Sequence, residues 1–230
     1  MYSSDTTTIT WRTADQINSA MLRVYNHMAL AVATSAIVAG LVASSPAAMA
    51  FFFTGFMKWV TILAPLAAVF AIGYALAKEP PRELAVIMLH GFAALMGLSL
   101  AVIFNVYTTA SLVSAFASSV ILFGTMSLYG YFTRQSLDSW GKYLFVGVIA
   151  IVIASLVNLF IGSSLVTMVI SAIAVIVFLA LTAYDTQNIR EMVSVEGATG
   201  AQEITGALSL YLNFVNIFVS LLQLFGNKDD

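Results

Sequence analysis

The chain has 230 residues, of which 60% are apolar and 9% charged, with a net charge of −2 and a mean hydropathy of +0.96. Ordinary soluble domains carry about 25% charged residues, so this much apolar surface identifies an integral membrane protein rather than a soluble domain. The charge balance argues against a nucleic-acid partner, and the absence of cysteine excludes disulfides, thiolate metal sites and cysteine catalysis.

The opening residues are polar and lack a basic region running straight into an apolar core, so no cleavable signal is expected. Residues 1–26 read as a polar arm, with Ile17, Met21 and Val24 at helical spacing. Seven apolar runs follow, at about 27–45, 57–77, 84–106, 109–132, 142–162, 165–185 and 204–225. Each is long enough to cross about 30 Å of hydrocarbon at about 1.5 Å per residue. Residues 27–226 therefore form a single all-α membrane domain, with 227–230 a short tail. The short connections after the third and fifth runs force antiparallel neighbours.

The arm and the connections after runs two, four and six hold Arg12, Arg23, Lys78, Arg82, Arg134, Lys142 and Arg190, against Lys58 and Lys228 on the other side. This bias predicts a cytoplasmic N-terminus. The last run is expected to cross fully and put the C-terminus outside; a path that dips and returns is the alternative.

In the last run Gly206, Ser209, Asn213, Asn216, Ser220 and Gln223 recur at steps of three and four, on one helical face. An unpaired amide in hydrocarbon costs several kcal/mol, so this face should be enclosed by protein and the last helix should be central. The sixth run ends in Asp185, a carboxylate at what reads as the inner end of a long apolar helix. There it binds a cation, trades a proton or latches a gate, or else merely flanks a helix end in water. Thr182 and Asn188 extend its polar face and favour the first set. Asn213 lines an ion path, bonds to Asp185 or acts as interhelical amide glue; for Asn216 and Asn158 glue is the better reading. His90, alone on an apolar helix, reads first as a hydrogen-bonded core residue and second as a pH sensor. No assembled nucleophile, base and oxyanion donor is present, so no enzyme is expected.

Four stretches carry a resemblance: Phe123-Gly124-Thr125-Met126-Ser127-Leu128-Tyr129-Gly130-Tyr131, Ala154 to Asn158, Ala183-Tyr184-Asp185-Thr186-Gln187, and Gly206 to Leu212 running on to Phe225-Gly226-Asn227. With these the chain resembles the Bax inhibitor-one family, also called the transmembrane Bax inhibitor motif family, in its bacterial inner-membrane branch. The resemblance implies seven helices with a central last helix between two three-helix groups, and a pH-dependent calcium leak. It also implies a latch of two aspartates, on helices six and seven, that share a proton. The first corresponds to Asp185, which also becomes a weak calcium ligand. The second corresponds to Asn213: the family pattern reads Leu-Tyr-Leu-Asp-Phe-Ile-Asn where this chain has Leu210-Tyr211-Leu212-Asn213-Phe214-Val215-Asn216. The contact is expected to survive and the coupled titration to be lost. Thr182, Ser209, Asn216 and Ser220 are the expected supporting polar path. Lys78 is the nearest basic residue to a position where some members place an arginine. No cofactor is expected beyond Ca²⁺ as permeant or bound ion. The expected partner is membrane lipid, and the expected state is a monomer or weak homo-oligomer; the alternative to the leak is a non-transporting modulator or binding partner of a membrane quality-control protease.

Overall fold

A computed structural model describes residues 11–195 and 198–228. Residues 1–10 of the expected arm, 196–197, and 229–230 of the tail lie outside the described residues. The helices are α1 (Ala14–Ala43), α2 (Pro46–Phe53), α3 (Met57–Leu76), α4 (Arg82–Leu100), α5 (Ile103–Val106), α6 (Thr109–Phe132), α7 (Asp138–Ile161), α8 (Ser164–Ser194) and α9 (Gly200–Phe225). Among the described residues seven spans are long and apolar enough to cross a membrane, with α4 and α5 forming one of them. This is the expected all-α membrane fold.

Two boundaries differ from the hydropathy reading. Segment one begins at Ala14, so the second half of the expected arm is helix. Thr13 accepts from the Gln16 backbone while the Gln16 side chain accepts from the Thr13 backbone, a capping box that starts a helix whatever the hydropathy beyond it. Ala20, Met21 and Val24 are buried along the inner face of these first turns. Segment six does not stop at Asp185; α8 continues to Ser194. Asp185 is thus an interior helix residue, because Ile189 and Val193 keep the apolar face going behind it.

The packing follows the two-group plan. α1 lies on α4 and α4 on α3; α8 lies on α6 and α7. Between the groups runs α9, against α8, α1, α6 and α4. Fifteen of its 26 residues are buried, compared with Asn158 alone in α7, so α9 is the core and α7 faces outward. Near its start, Glu203 takes both a 2.6 Å and a 2.9 Å bond from the Arg23 guanidinium of α1. At its other end Asn227 O accepts from Thr108 N at 3.1 Å and Asn227 N donates to Ser111 Oγ at 2.8 Å. The two ends therefore sit at opposite faces of the bundle. A helix of this length spans about 39 Å, more than the hydrocarbon thickness, so α9 crosses and does not return.

Close backbone approaches set the helix spacing, as expected where no hydrophobic effect drives helices together. At Gly97 of α4 a Cβ would lie 2.5 Å from Ser35 O of α1. At Gly130 of α6 a Cβ would overlap the Ala183 carbonyl of α8. Ser35 Oγ then joins three helices: it donates to Ala93 O at 2.7 Å and accepts from the Tyr211 hydroxyl of α9, also at 2.7 Å. Tyr211 is fully buried, and that bond satisfies its polar end.

Gly130→Ala must force α6 from α8, and is expected to lower stability by about 1–3 kcal/mol. Gly124→Ala, whose Cβ meets open space, should instead be neutral or gain up to about 1 kcal/mol of helix propensity. Thermal unfolding of both variants in detergent checks the contrast. Arg23→Gln leaves Glu203 buried without its cation and should cost about 2 kcal/mol by the same assay. Arg23→Gln combined with Glu203→Gln should recover part of that loss.

Candidate functional site

The site is built where α8 meets α9. Asn213 Nδ2 donates to Asp185 Oδ2 at 2.7 Å. Among the described residues this is the carboxylate's hydrogen-bond partner. Asn213 is buried on the face of α9 turned to α8, and Asp185 is half-buried. The 3–4 spacing that puts Asn213 on the polar face of the last helix thus brings it against Asp185 of α8.

Three glycine contacts hold α8 in register around that pair. Gly130 of α6 receives the Ala183 backbone, Gly141 of α7 receives the Tyr184 hydroxyl, and Gly206 of α9 receives Ile189. Asp185 sits within the stretch these contacts fix. Next to it, Thr186 is fully buried and shares a 3.1 Å bond with Ser127 of α6, which in turn bonds Tyr25 of α1. Gln187 accepts from Leu137 N at 2.8 Å and donates to Gln135 O at 2.9 Å, which ties the α6–α7 connection to α8. None of these four polar contacts is marked by the sequence. Their signal was the unbroken polar run Asp185-Thr186-Gln187-Asn188, which reads as a loop when the helix is ended at Asp185.

The other expected residues fall into place unevenly. Thr182 is fully buried, but its hydroxyl donates to Phe178 O of its own helix at 2.7 Å. Asn216, expected as interhelical glue, donates to Leu212 O of its own helix at 2.8 Å. An amide one turn above a carbonyl needs no neighbour to be satisfied. Ser209 is half-buried and Ser220 buried on the same helix. Asn158 does act as glue: it donates to Thr167 Oγ1 at 2.7 Å and to Ser163 O at 3.1 Å, closing the turn from α7 to α8. His90, half-buried, pairs with Thr34 Oγ1 of α1 at 3.0 Å. Lys78 is exposed, with Nζ 4.4 Å from the Tyr74 ring centre. Among the described residues neither His90 nor Lys78 is a hydrogen-bond or ion-pair partner of Asp185.

The sequence also passed over the Arg23–Glu203 pair. Arg23 lay in what read as an arm, and the two are 180 positions apart. A second tie lies beside it, where Arg12 N donates to Ser194 O at 2.8 Å and its guanidinium reaches Val193 O and Ala198 O, both at 3.4 Å. These bonds fasten the chain before α1 to the end of α8.

Chemically, the site offers hard oxygen donors and one ionisable group. Ca²⁺ takes six to eight oxygens; Asp185 and the Asn213 carbonyl supply a fraction of that set. Among the described residues no three His, Asp or Glu side chains converge on one point.

Comparison with known proteins agrees with this architecture. The family model described as inhibitor of apoptosis-promoting Bax1 matches residues 17–230. The inner membrane protein YbhL of Escherichia coli K12 is 39% identical over 214 residues, covering 90% of this chain and 91% of its own. A protein of Deinococcus radiodurans is 38% identical over 223 residues, covering 95% and 94%. The protein RP147 of Rickettsia prowazekii is 37% identical over 232 residues, covering 98% and 97%. With its seven spans, its central α9 and a match over nearly its whole length, the chain is an integral membrane protein of the Bax inhibitor-1 family.

Proposed function

We propose that the protein is a proton-regulated calcium leak of a bacterial inner membrane, in which Asp185 is the charged site and Asn213 its neutral partner. The observation that carries the reading is the 2.7 Å bond from Asn213 to Asp185. It joins α8 to the central helix at the place where the family resemblance implies a paired-carboxyl latch. Two aspartates there share a proton, because two like charges so close cannot both ionise cheaply. Losing that proton drives them apart. With Asn213 the pair behaves differently. The amide donates to the carboxylate and can accept from the carboxylic acid, so a bond is available in both protonation states. The ionised form is the stronger of the two, since charge-assisted bonds are roughly twice as strong as neutral ones. One carboxyl titrates alone, and calcium is held more weakly than by two.

The competing reading is a non-transporting modulator of a membrane protease. Its candidate contact is the chain before α1; Ala20, Met21 and Val24 of the first turns of α1 are core, so only the chain ahead of the helix can be removed without opening the bundle. Removal of residues 1–10 is therefore the variant that separates the readings: flux is retained if the protein is a leak, and partner capture is lost if it is a modulator.

The seven-against-two distribution of Lys and Arg survives in the helix directions and supports a cytoplasmic N-terminus. Since α9 crosses, alkaline phosphatase fused after Lys228 should be active in intact bacteria, and a green fluorescent protein fused there dark.

Calcium entry into liposomes holding the purified protein tests the function between pH 6 and 8. Wild type should leak above empty liposomes, with a shallow single-site response spread over about two pH units. Asp185→Asn should flatten that response. Asn213→Asp should steepen it and make flux rise with pH, as proton loss opposes two carboxylates. If none of these proteins moves calcium above the empty control, the leak reading is wrong.

A further inference from the structure

α1 packs on α4, α9 and α8, and α6 packs on α8 and α9, but between α1 and α6 lies an open lateral groove. Its volume is about 720 Å³, and its walls include Leu22, Val32, Val120, Gly124 and Leu128, with Phe214 of α9 contributing to its lining. Along α1 the lining runs from Asn18 to Val32, about 21 Å of helix. A second cavity of about 240 Å³ continues it from Val32 toward the other side of the bundle. Both helices are membrane spans, so the groove opens sideways into hydrocarbon.

At the end near the N-terminus of α1 the character of the groove changes. Tyr131 and Phe132 belong both to the groove and to a hollow of about 490 Å³ whose rim carries Arg134, Arg190 and Glu191. Two guanidiniums against one carboxylate leave the hollow positive. The Arg190 guanidinium lies 5.0 Å over the Tyr131 ring, where the cation–π contact orients it beside the mouth of the groove. Tyr131 also donates to Asn18 Oδ1, which ties α6 to α1 at that level.

We propose that groove and hollow together bind one anionic phospholipid from the leaflet on the N-terminal side of the bundle. An acyl chain lies along the groove, and the phosphate sits in the hollow with Arg134 and Arg190. Three features of the site match that ligand: an apolar slot open to the bilayer, a length that exceeds the roughly 15 Å of one leaflet in a core of about 30 Å and so takes a whole acyl chain, and net positive charge at its interfacial end. Guanidinium forks suit phosphate oxygens. The assignment does not depend on whether the protein conducts calcium.

The test is native mass spectrometry of the full-length protein with phosphatidylglycerol and phosphatidylcholine of matched chains. Wild type should keep one phosphatidylglycerol with a preference of about thirtyfold, or about fivefold per arginine. Arg134→Gln with Arg190→Gln should bring the preference near parity while a lipid is still retained. Gly124→Phe places its ring in the open groove and should reduce retention of both lipids; Val120→Trp does the same from the next turn if Gly124→Phe misfolds. Equal retention of the two lipids by wild type overturns the charge assignment. Unchanged retention in both groove-filling variants overturns the groove, and leaves annular lipid as the explanation.

Discussion

Polar side chains in hydrocarbon have no water to bond, and this constraint organises the bundle. α9 carries two asparagines, serines and a glutamine on one face, and each must be bonded to a neighbouring helix, enclosed by protein or bonded to its own backbone. The structure uses these solutions. Asn213 reaches Asp185, Gln223 accepts from Ser171 at 2.6 Å, and Asn216 folds back on Leu212 O. Enclosing that face requires helices on several sides, so the helix richest in polar groups becomes the most buried. α7, nearly all apolar, is left facing lipid, where its side chains need no partners. The usual inside-out expectation for soluble proteins is reversed here by the solvent.

The same constraint explains what could be read without coordinates. Seven spans, their order and the central place of α9 follow from run length and from the 3–4 spacing of Gly206, Ser209, Asn213, Asn216, Ser220 and Gln223, because hydropathy and periodicity are local properties. The pairing of Asp185 with Asn213 was legible through the family pattern, and the geometry agrees. Helix ends were not. Hydropathy averages over the capping box at Thr13 and over the polar run after Asp185, so α1 was started late and α8 stopped early. Contacts between distant positions were also hidden. Nothing in the local pattern joins Arg23 to Glu203, or the Ala183 backbone to Gly130. The α1–α6 groove is a property of two helices joined only by side-chain bonds such as Tyr25–Ser127 and Tyr131–Asn18, which no single segment encodes.

The glycine contacts and the Asp185 bond act on the same stretch of α8. Gly130 and Gly206 bring the backbones or side chains of α6 and α9 to within direct contact of residues 183 and 189, and Asp185 lies between them. Motion of Asp185 relative to Asn213 therefore requires α8 to slide or rotate against both neighbours. Packed helices of this kind exchange between discrete arrangements rather than deforming continuously. A change of hydrogen-bond strength at one pair can then bias the whole of α8, provided the two arrangements differ by only a few kcal/mol.

That condition gives the Asn213 side chain its consequence. In a pair of carboxyls, the shared proton is the bond; removing it replaces attraction by repulsion, and the two arrangements change order. In the carboxyl–carboxamide pair, removing the proton from Asp185 leaves an N–H donor facing an anion, and attraction increases. In the proposed latch, the sign of the coupling between proton and helix position is thus set by one nitrogen in place of one oxygen. The surrounding geometry need not change, because the two side chains have nearly the same shape. In the proposed latch, a relative with two carboxyls and this chain share the helix contacts and respond to pH in opposite directions.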